Sequence, residues 1–96
     1  MNITVVIPLK DEAESLPELT QWIKQVMEAN HFSFEVIMVD DGSTDGSWQV
    51  ISQIADQDNR FKGIKFKRNY GKSAALNVAF REAKGEVVIT MDADLQ

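Results

Sequence analysis

The chain contains no cysteine, only two prolines and no long apolar run. Without cysteine it can form neither a disulfide nor a cysteine-ligated zinc site, which suits a reducing compartment. Its longest apolar stretches, such as Val5-Val6-Ile7 and Val36-Ile37-Met38-Val39, are too short to cross a bilayer. No basic segment precedes an apolar stretch at the N-terminus, so no signal peptide is predicted and a cytoplasmic location is expected.

Positive charge is also scarce. Ten lysines and arginines stand against fifteen aspartates and glutamates, which gives a formal net charge of −5. Duplex nucleic acid is bound mainly through cationic side chains, so no nucleic-acid partner is predicted. The 96 residues are 44% hydrophobic, which is enough for the core of one small globular domain.

Four apolar, mostly β-branched runs alternate with three segments of helical periodicity. This order, βαβαβαβ, predicts a Rossmann-like α/β fold with a parallel sheet and right-handed crossovers. Trp22, Trp48 and Phe80 are predicted to pack in the core, and Gly85 to end the third helix as its C-cap. The predicted strands are residues 2–8, 34–39, 60–66 and 86–91, and the predicted helices are 13–29, a second around 48–55, and 73–84.

Acidic residues follow three of the four predicted strands. Lys10-Asp11-Glu12 comes after the first, Asp40-Asp41 after the second, and Asp92-Ala93-Asp94 after the fourth. Because ligands of open parallel sheets bind outside the carboxyl ends of the strands, these residues are expected to meet along one edge. Carboxylates gathered there raise one another's proton affinity, so a cation or hydrogen-bond donors are needed to offset their charge.

Asp92 and Asp94 are the main candidates for a metal site. Residues two apart in an extended chain face the same side, and in a loop both can still converge on one ion. Hard oxygen ligands select Mg²⁺ or Mn²⁺, which keep open positions for substrate phosphates, and Gln96 could supply a third oxygen. The alternative is a polar turn whose acids cap a following helix.

The other residues at this edge each admit two interpretations. Asp40-Asp41-Gly42-Ser43 is either a turn leading into a helix cap or a segment whose carboxylate accepts a hydrogen bond from a base. Glu12 is either a ligand-binding residue or an acid that favours the start of the first helix. Lys67, Arg68 and Lys72 form a basic patch that either meets a phosphate or is simply solvated.

Five motifs occur in order along the whole chain: Val5-Val6-Ile7-Pro8, Glu12, residues 39–46, residues 68–75 and residues 91–96. Together they resemble family 2 glycosyltransferases of the GT-A fold, with the polyprenyl- and dolichyl-phosphate sugar transferases as the nearest likeness. The resemblance implies the nucleotide-binding half of a GT-A fold and an enzyme that transfers a sugar, with inversion, from a UDP- or GDP-sugar. The implied acceptor is a polyprenyl phosphate or a saccharide.

The resemblance also implies roles for individual residues. The metal, Mg²⁺ or Mn²⁺, would offset the charge of the leaving nucleoside diphosphate. Its implied ligands are Asp92, Asp94 and Gln96. The implied nucleotide-binding residues are Pro8, Lys10, Glu12, Val39, Asp41, Lys72 and Ala93.

The chain departs from the family pattern after Pro8. Members commonly carry Tyr-Asn-Glu there, whereas this chain has Leu9 and then Lys10-Asp11-Glu12, and a lysine cannot stack on a base. Catalytic domains of the family are roughly twice as long. Residues 1–96 are therefore expected to be an inactive N-terminal fragment, with the catalytic base and acceptor site beyond Gln96 and the parent at the cytoplasmic face of a membrane.

Two other interpretations are open. One is a non-catalytic, magnesium-binding module similar to a phospho-acceptor receiver. A receiver would require an aspartate after the third strand, where this chain has Phe66-Lys67-Arg68. The other is a fragment that self-associates through an unprotected edge of its sheet.

Overall fold

A computed structural model describes residues 1–93, and the last three residues, 94–96, lie outside the described part. Strands and helices alternate as predicted, so the βαβαβαβ order is confirmed. The strands are β1 (Ile3–Leu9), β2 (Phe34–Asp40), β3 (Phe61–Lys65) and β4 (Val87–Thr90), and the helices are α1 (Leu16–Ala29), α2 (Ser47–Gln57) and α3 (Lys72–Glu82).

The four strands form one parallel sheet in the order β3-β2-β1-β4. Helices α1 and α2 cover one face, and their apolar residues form a single cluster with the odd-numbered residues of β1. Helix α3 covers the other face, where Ala75 and Ala79 pack against Val6, Ile37 and Val39. This division follows from right-handed crossovers, because the connection from β3 to β4 runs in the opposite direction across the sheet.

The sequence predicts that the first strand ends at Pro8, but in the structure Pro8 lies inside β1. Pro8 is paired with Val39 on β2, and the strand continues to Leu9. On the other side, β4 pairs with β1 only as far as Val6, whose carbonyl accepts the N–H of Met91. A backbone N–H at position 8 would point toward β4 beyond its last paired residue, so the missing donor costs no ladder hydrogen bond.

Two predictions about core packing and one about the end of a helix are wrong. The side chains of Trp22 and Phe80 are 51% and 46% exposed, because α1 and α3 each bury only the stripe that faces the sheet. Trp48 does pack against the core cluster. Gly85 is not the C-cap of α3, which ends at Glu82 with Ala83 in that position.

A glycine is required at position 85 because the backbone there passes close to β1. A Cβ built on it would lie 2.5 Å from the backbone nitrogen of Thr4. Gly85 N–H also donates to the Thr4 hydroxyl at 2.9 Å. The glycine therefore allows the chain entering β4 to approach β1 closely.

Strand β4 is one edge of the described sheet, and it is apolar and exposed. Val87 and Val88 are 54% and 41% exposed, whereas the opposite edge strand, β3, carries Lys62 and Lys65. Lysine on an edge strand discourages pairing with another chain, so β4 is the less protected edge. Self-association stays a prediction. In residues 1–93 no helix has the length and hydropathy needed to span a membrane.

Candidate functional site

The strand order opens a crevice at the carboxyl ends of β1 and β4. The chain passes from β1 through β2 to β3 and then returns to place β4 on the other side of β1. In open α/β sheets such a reversal of strand order marks the place where ligands bind. The predicted residues that follow β1 and β4 are therefore neighbours, although 80 or more positions separate them in sequence.

Two adjoining cavities of about 160 and 150 Å³ occupy this crevice. Pro8, Leu9, Lys10 and Asp92 line both of them. The remaining predicted residues in their walls are Asp41 and Lys72 in the first and Glu12 and Ala93 in the second.

One predicted site residue within the described part of the chain, Val39, does not join this group. Val39 is fully buried against α3, so its side chain is directed into the core. Asp94 and Gln96 lie outside the described residues, and their metal-binding role stays a prediction. Leu9, which sequence reasoning did not select, lines both cavities because β1 continues past Pro8.

The loop after β1 is fastened to the loop after β2 by reciprocal hydrogen bonds. Asp11 adopts a left-handed conformation, with φ of +56°, and its carboxylate accepts the backbone N–H of Thr44 at 2.8 Å. In return, the hydroxyl of Ser43 accepts the N–H of Asp11 at 2.9 Å. The hydroxyl of Ser47 accepts the N–H of Glu12 at 3.0 Å. These bonds fix the backbone that carries Glu12.

Asp45 takes part in the same set of hydrogen bonds between the loops after β1 and β2. Its carboxylate accepts both the hydroxyl and the N–H of Ser47, and the N–H of Ala13 from the other loop. The Ser47 hydroxyl, followed by these backbone donors, lowers the pKa of Asp45 below its usual value. Gly46 holds the N-cap position of α2, so Asp45 supports the start of that helix from one residue earlier.

The adjacent aspartates at the carboxyl end of β2, Asp40 and Asp41, make different contacts. Asp40 makes the turn, since its carboxylate accepts the N–H of Ser43 at 2.8 Å. Asp41 reaches across to the loop before α3 and accepts the N–H groups of Tyr70 at 2.7 Å and Gly71 at 3.0 Å. The carboxylate of Asp41 therefore holds the basic loop against the site, and it still lines the first cavity.

Gly42 makes this contact between loops possible. Its φ is +78°, in the region that favours glycine, and a Cβ here would lie 2.5 Å from the backbone of Arg68 and Asn69. The basic loop thus packs directly on the backbone of Gly42. Within the loop, the guanidinium of Arg68 lies 5.0 Å from the ring centre of Tyr70.

Lys72 is the member of the predicted basic patch that reaches the crevice. It is the first residue of α3, and its Nζ donates to Oδ1 of Asp92 at 3.2 Å. Both side chains are open to solvent, 63% and 71% exposed. Gly71 at the N-cap of α3 offers no side-chain oxygen to the N–H groups of the first turn. The positive end of the helix dipole also favours an anion near Lys72.

The described residues provide a suitable type of ligand for a divalent metal but not a complete set of ligands. Asp92 supplies a hard, solvent-exposed oxygen ligand. Within residues 1–93 no three acidic or histidine side chains cluster closely enough to enclose an ion. Mg²⁺ is commonly bound by one or two carboxylates together with substrate phosphates, so Asp92 at the mouth of a cavity suits that arrangement.

One buried charged group escaped sequence reasoning. Glu35 on β2 is 1% exposed and lies on the α3 face, near the amino ends of the strands and away from the crevice. Its carboxylate accepts hydrogen bonds from Thr4, Lys62 and the N–H of Lys84. A lone polar residue in an apolar strand was the only signal in the sequence.

Comparison with known proteins identifies the family of the chain. The pattern of glycosyl transferase family 2 matches residues 4–96. The undecaprenyl-phosphate 4-deoxy-4-formamido-L-arabinose transferase of Pseudomonas savastanoi pv. phaseolicola is 41% identical over 95 residues, which cover 98% of this chain and 28% of that protein. This chain thus spans little more than a quarter of the length of that relative.

Two solved structures share the fold. The mannosyltransferase of Pyrobaculum calidifontis in complex with GDP-Man and Mn²⁺ superposes with a TM-score of 0.80 at 32% identity, covering 97% of this chain and 27% of that one. S. aureus TarS 1-349 in complex with UDP-GlcNAc gives a TM-score of 0.78 at 32% identity, covering 98% of this chain and 27% of that one.

The fold and the crevice define a Rossmann-like half of a GT-A glycosyltransferase domain, as the sequence predicts. The chain belongs to glycosyl transferase family 2. Membership in this family, with no carboxylate directly after β3, argues against the receiver-like alternative.

Proposed function

We propose that residues 1–96 form the nucleotide-sugar-binding half of a metal-dependent, inverting glycosyltransferase. The observation that carries this proposal is the meeting of Lys10, Asp41, Lys72 and Asp92 around one cavity at the switch point of the sheet. In the whole protein the donor is a UDP- or GDP-sugar and the acceptor a polyprenyl phosphate. The ligands in the two solved relatives and the name of the Pseudomonas relative support these classes.

Each side chain has a task that its position suits. Asp92 offers oxygen to Mg²⁺ or Mn²⁺, with Asp94 and Gln96 proposed as further ligands. Lys72, at the positive end of α3, faces the diphosphate. The bound ion supplies charge stabilisation for the leaving nucleoside diphosphate.

The base and ribose occupy the part of the crevice next to β1. Its walls there are Pro8, Lys10, Glu12 and Ala93, with Asp41 toward β2. Lys10 provides no aromatic face, so we expect the base to be held by hydrogen bonds and by contact with Pro8. The isolated 96 residues are expected to bind nucleotide weakly and to show no turnover.

Calorimetric titration of the full-length protein with UDP and with GDP, each with and without Mn²⁺, tests the proposal. We expect nucleotide binding to require the metal and Asp92→Asn to weaken the metal-dependent binding at least about tenfold, as loss of even an outer partner of a metal site does. Asp56→Asn, which neutralises an exposed carboxylate on α2, is the matched control and should bind like the wild type. Equal affinity with and without Mn²⁺, unchanged in Asp92→Asn, would refute the proposal.

A further inference from the structure

Lys72 and Asp92 are brought to each other by two rigid parts of the structure. Lys72 follows Gly71, whose N–H is tied to Asp41 and whose φ is +97°. Asp92 follows Met91, whose N–H donates to the carbonyl of Val6 at 2.9 Å. These hydrogen bonds hold the backbone beside each residue, and in this arrangement Lys72 Nζ lies 3.2 Å from Asp92 Oδ1.

The same carboxylate oxygen cannot serve a lysine and a divalent ion at once. An ammonium and Mn²⁺ on one carboxylate would stand within a few ångströms of each other and repel, although solvent screens part of this repulsion because both side chains are exposed. Binding of the ion at this oxygen of Asp92 therefore competes with Lys72. The displaced ammonium remains at the cavity wall, next to the positive end of α3, where a diphosphate is favoured.

We propose that Lys72 is the resident counter-cation of the metal carboxylate and that it couples metal binding to nucleotide binding. Without the ion, Lys72 neutralises Asp92. When the ion takes Asp92, Lys72 is released to the diphosphate of the donor. This inference rests on the proposed function, since it requires that Asp92 bind the ion.

The proposal predicts that one substitution, Lys72→Gln, strengthens the binding of Mn²⁺ and weakens the binding of UDP. Lys72→Gln removes the competitor and should tighten the binding of Mn²⁺ alone. An exposed ion pair contributes at most about 1 kcal/mol, so the gain should be about two- to fivefold. The same variant should bind UDP several-fold more weakly at saturating Mn²⁺, because the ammonium that meets the diphosphate is gone.

Lys10→Gln is the matched control for the metal measurement. Lys10 lines the same two cavities and carries the same charge, but in residues 1–93 its Nζ makes no ion pair with Asp92. A general field effect would tighten Mn²⁺ binding equally in both variants. Lys72→Arg keeps the charge and should restore Mn²⁺ affinity close to the wild-type value.

The experiment measures free Mn²⁺ by electron paramagnetic resonance and UDP binding by calorimetry, on the full-length protein and its variants. Tighter Mn²⁺ binding in Lys72→Gln than in Lys10→Gln, together with weaker UDP binding, supports the exchange. If Asp92→Asn abolishes Mn²⁺ binding while Lys72→Gln matches Lys10→Gln or weakens both ligands, the exchange is wrong and the metal site stands. If Asp92→Asn leaves Mn²⁺ binding unchanged, the proposed function itself fails, and the exchange fails with it.

Discussion

Glu35 provides the sharpest test of how this sheet is held together. Its carboxylate is buried on the α3 face and accepts three hydrogen bonds: from the Thr4 hydroxyl at 2.7 Å, the Lys62 ammonium at 2.8 Å and the Lys84 N–H at 2.6 Å. These partners come from β1, β3 and the segment before β4. Glu35 thus connects the central strands to the entry of β4.

Replacing Glu35 should cost stability in proportion to the donors left without a partner. Glu35→Ala leaves the Thr4 hydroxyl and the Lys84 N–H unsatisfied, and each buried unpaired group costs about 1–3 kcal/mol. Lys62 is 44% exposed and regains water, so its lost bond adds little. We expect a total of about 2–6 kcal/mol for Glu35→Ala. We expect about 1–2 kcal/mol for Glu35→Gln, whose amide oxygen still accepts.

The pH dependence of stability tests whether the carboxylate of Glu35 is charged in the folded protein. Burial raises the pKa of Glu35, but the hydrogen bonds from Lys62, Thr4 and Lys84 outweigh it, so the pKa lies below its usual value of 4.5. A carboxyl whose pKa falls on folding stabilises the folded state above its unfolded pKa and loses that contribution as pH drops through the folded pKa. The difference between wild type and Glu35→Gln should therefore be full above about pH 5 and shrink below pH 4.5.

Urea unfolding monitored by circular dichroism at several pH values measures these differences. Glu14→Gln, an exposed carboxylate before α1, is the control and should stay within about 0.5 kcal/mol of wild type. The reasoning is refuted if Glu35→Ala costs no more than Glu35→Gln, or if the difference between Glu35→Gln and wild type is independent of pH.

Two further predictions concern stability. The hydrogen bond from Arg60 lowers the pKa of Asp58 from 3.8 to about 2, so Asp58→Asn should cost about 1–2 kcal/mol at pH 7, and urea unfolding should show this loss vanishing as pH falls from about 4 through 2. An unchanged loss at pH 2 would contradict the assignment. Gly85→Ala should cost about 1–3 kcal/mol in thermal unfolding, because the added Cβ meets the backbone of Thr4. Gly46→Ala, where a Cβ meets nothing within 4 Å, should be nearly neutral, and similar values for the two glycines would contradict the steric argument.

Helix positions show where sequence reasoning ends. The helical spacing in the first helix predicts an apolar stripe, and its members are buried in α1 except Val26, which is 36% exposed: Leu16, Leu19, Ile23, Val26 and Met27. The prediction that Trp22 packs in the core is wrong, because Trp22 lies outside this buried stripe. On α3 the buried residues are the small Ala75 and Ala79, and the bulky Phe80 faces solvent. A helix that lies close to a sheet needs small residues at the contact, and this distance is not encoded in the periodicity of one helix.

The candidate site, too, was predicted from the sequence only in part. Sequence reasoning placed Glu12, Asp41 and Asp92 at one edge of the sheet, because strand order along the chain and the rule for carboxyl ends suffice for that. It left open whether Asp41 forms a turn or meets a ligand. In the structure Asp40 forms the turn and Asp41 holds the basic loop.

The sequence by itself determined the alternation of strands and helices, the parallel sheet and the edge at which the acids collect. These follow from short-range patterns, with periods of two and 3.6 residues, and from the rules that connect neighbouring elements. Only the tertiary structure decided that β4 lies beside β1, that Gly85 must lack a side chain against Thr4, and that Lys72 meets Asp92. Those contacts join residues 20 to 84 positions apart, and they depend on the register and packing of whole elements, which no local pattern specifies.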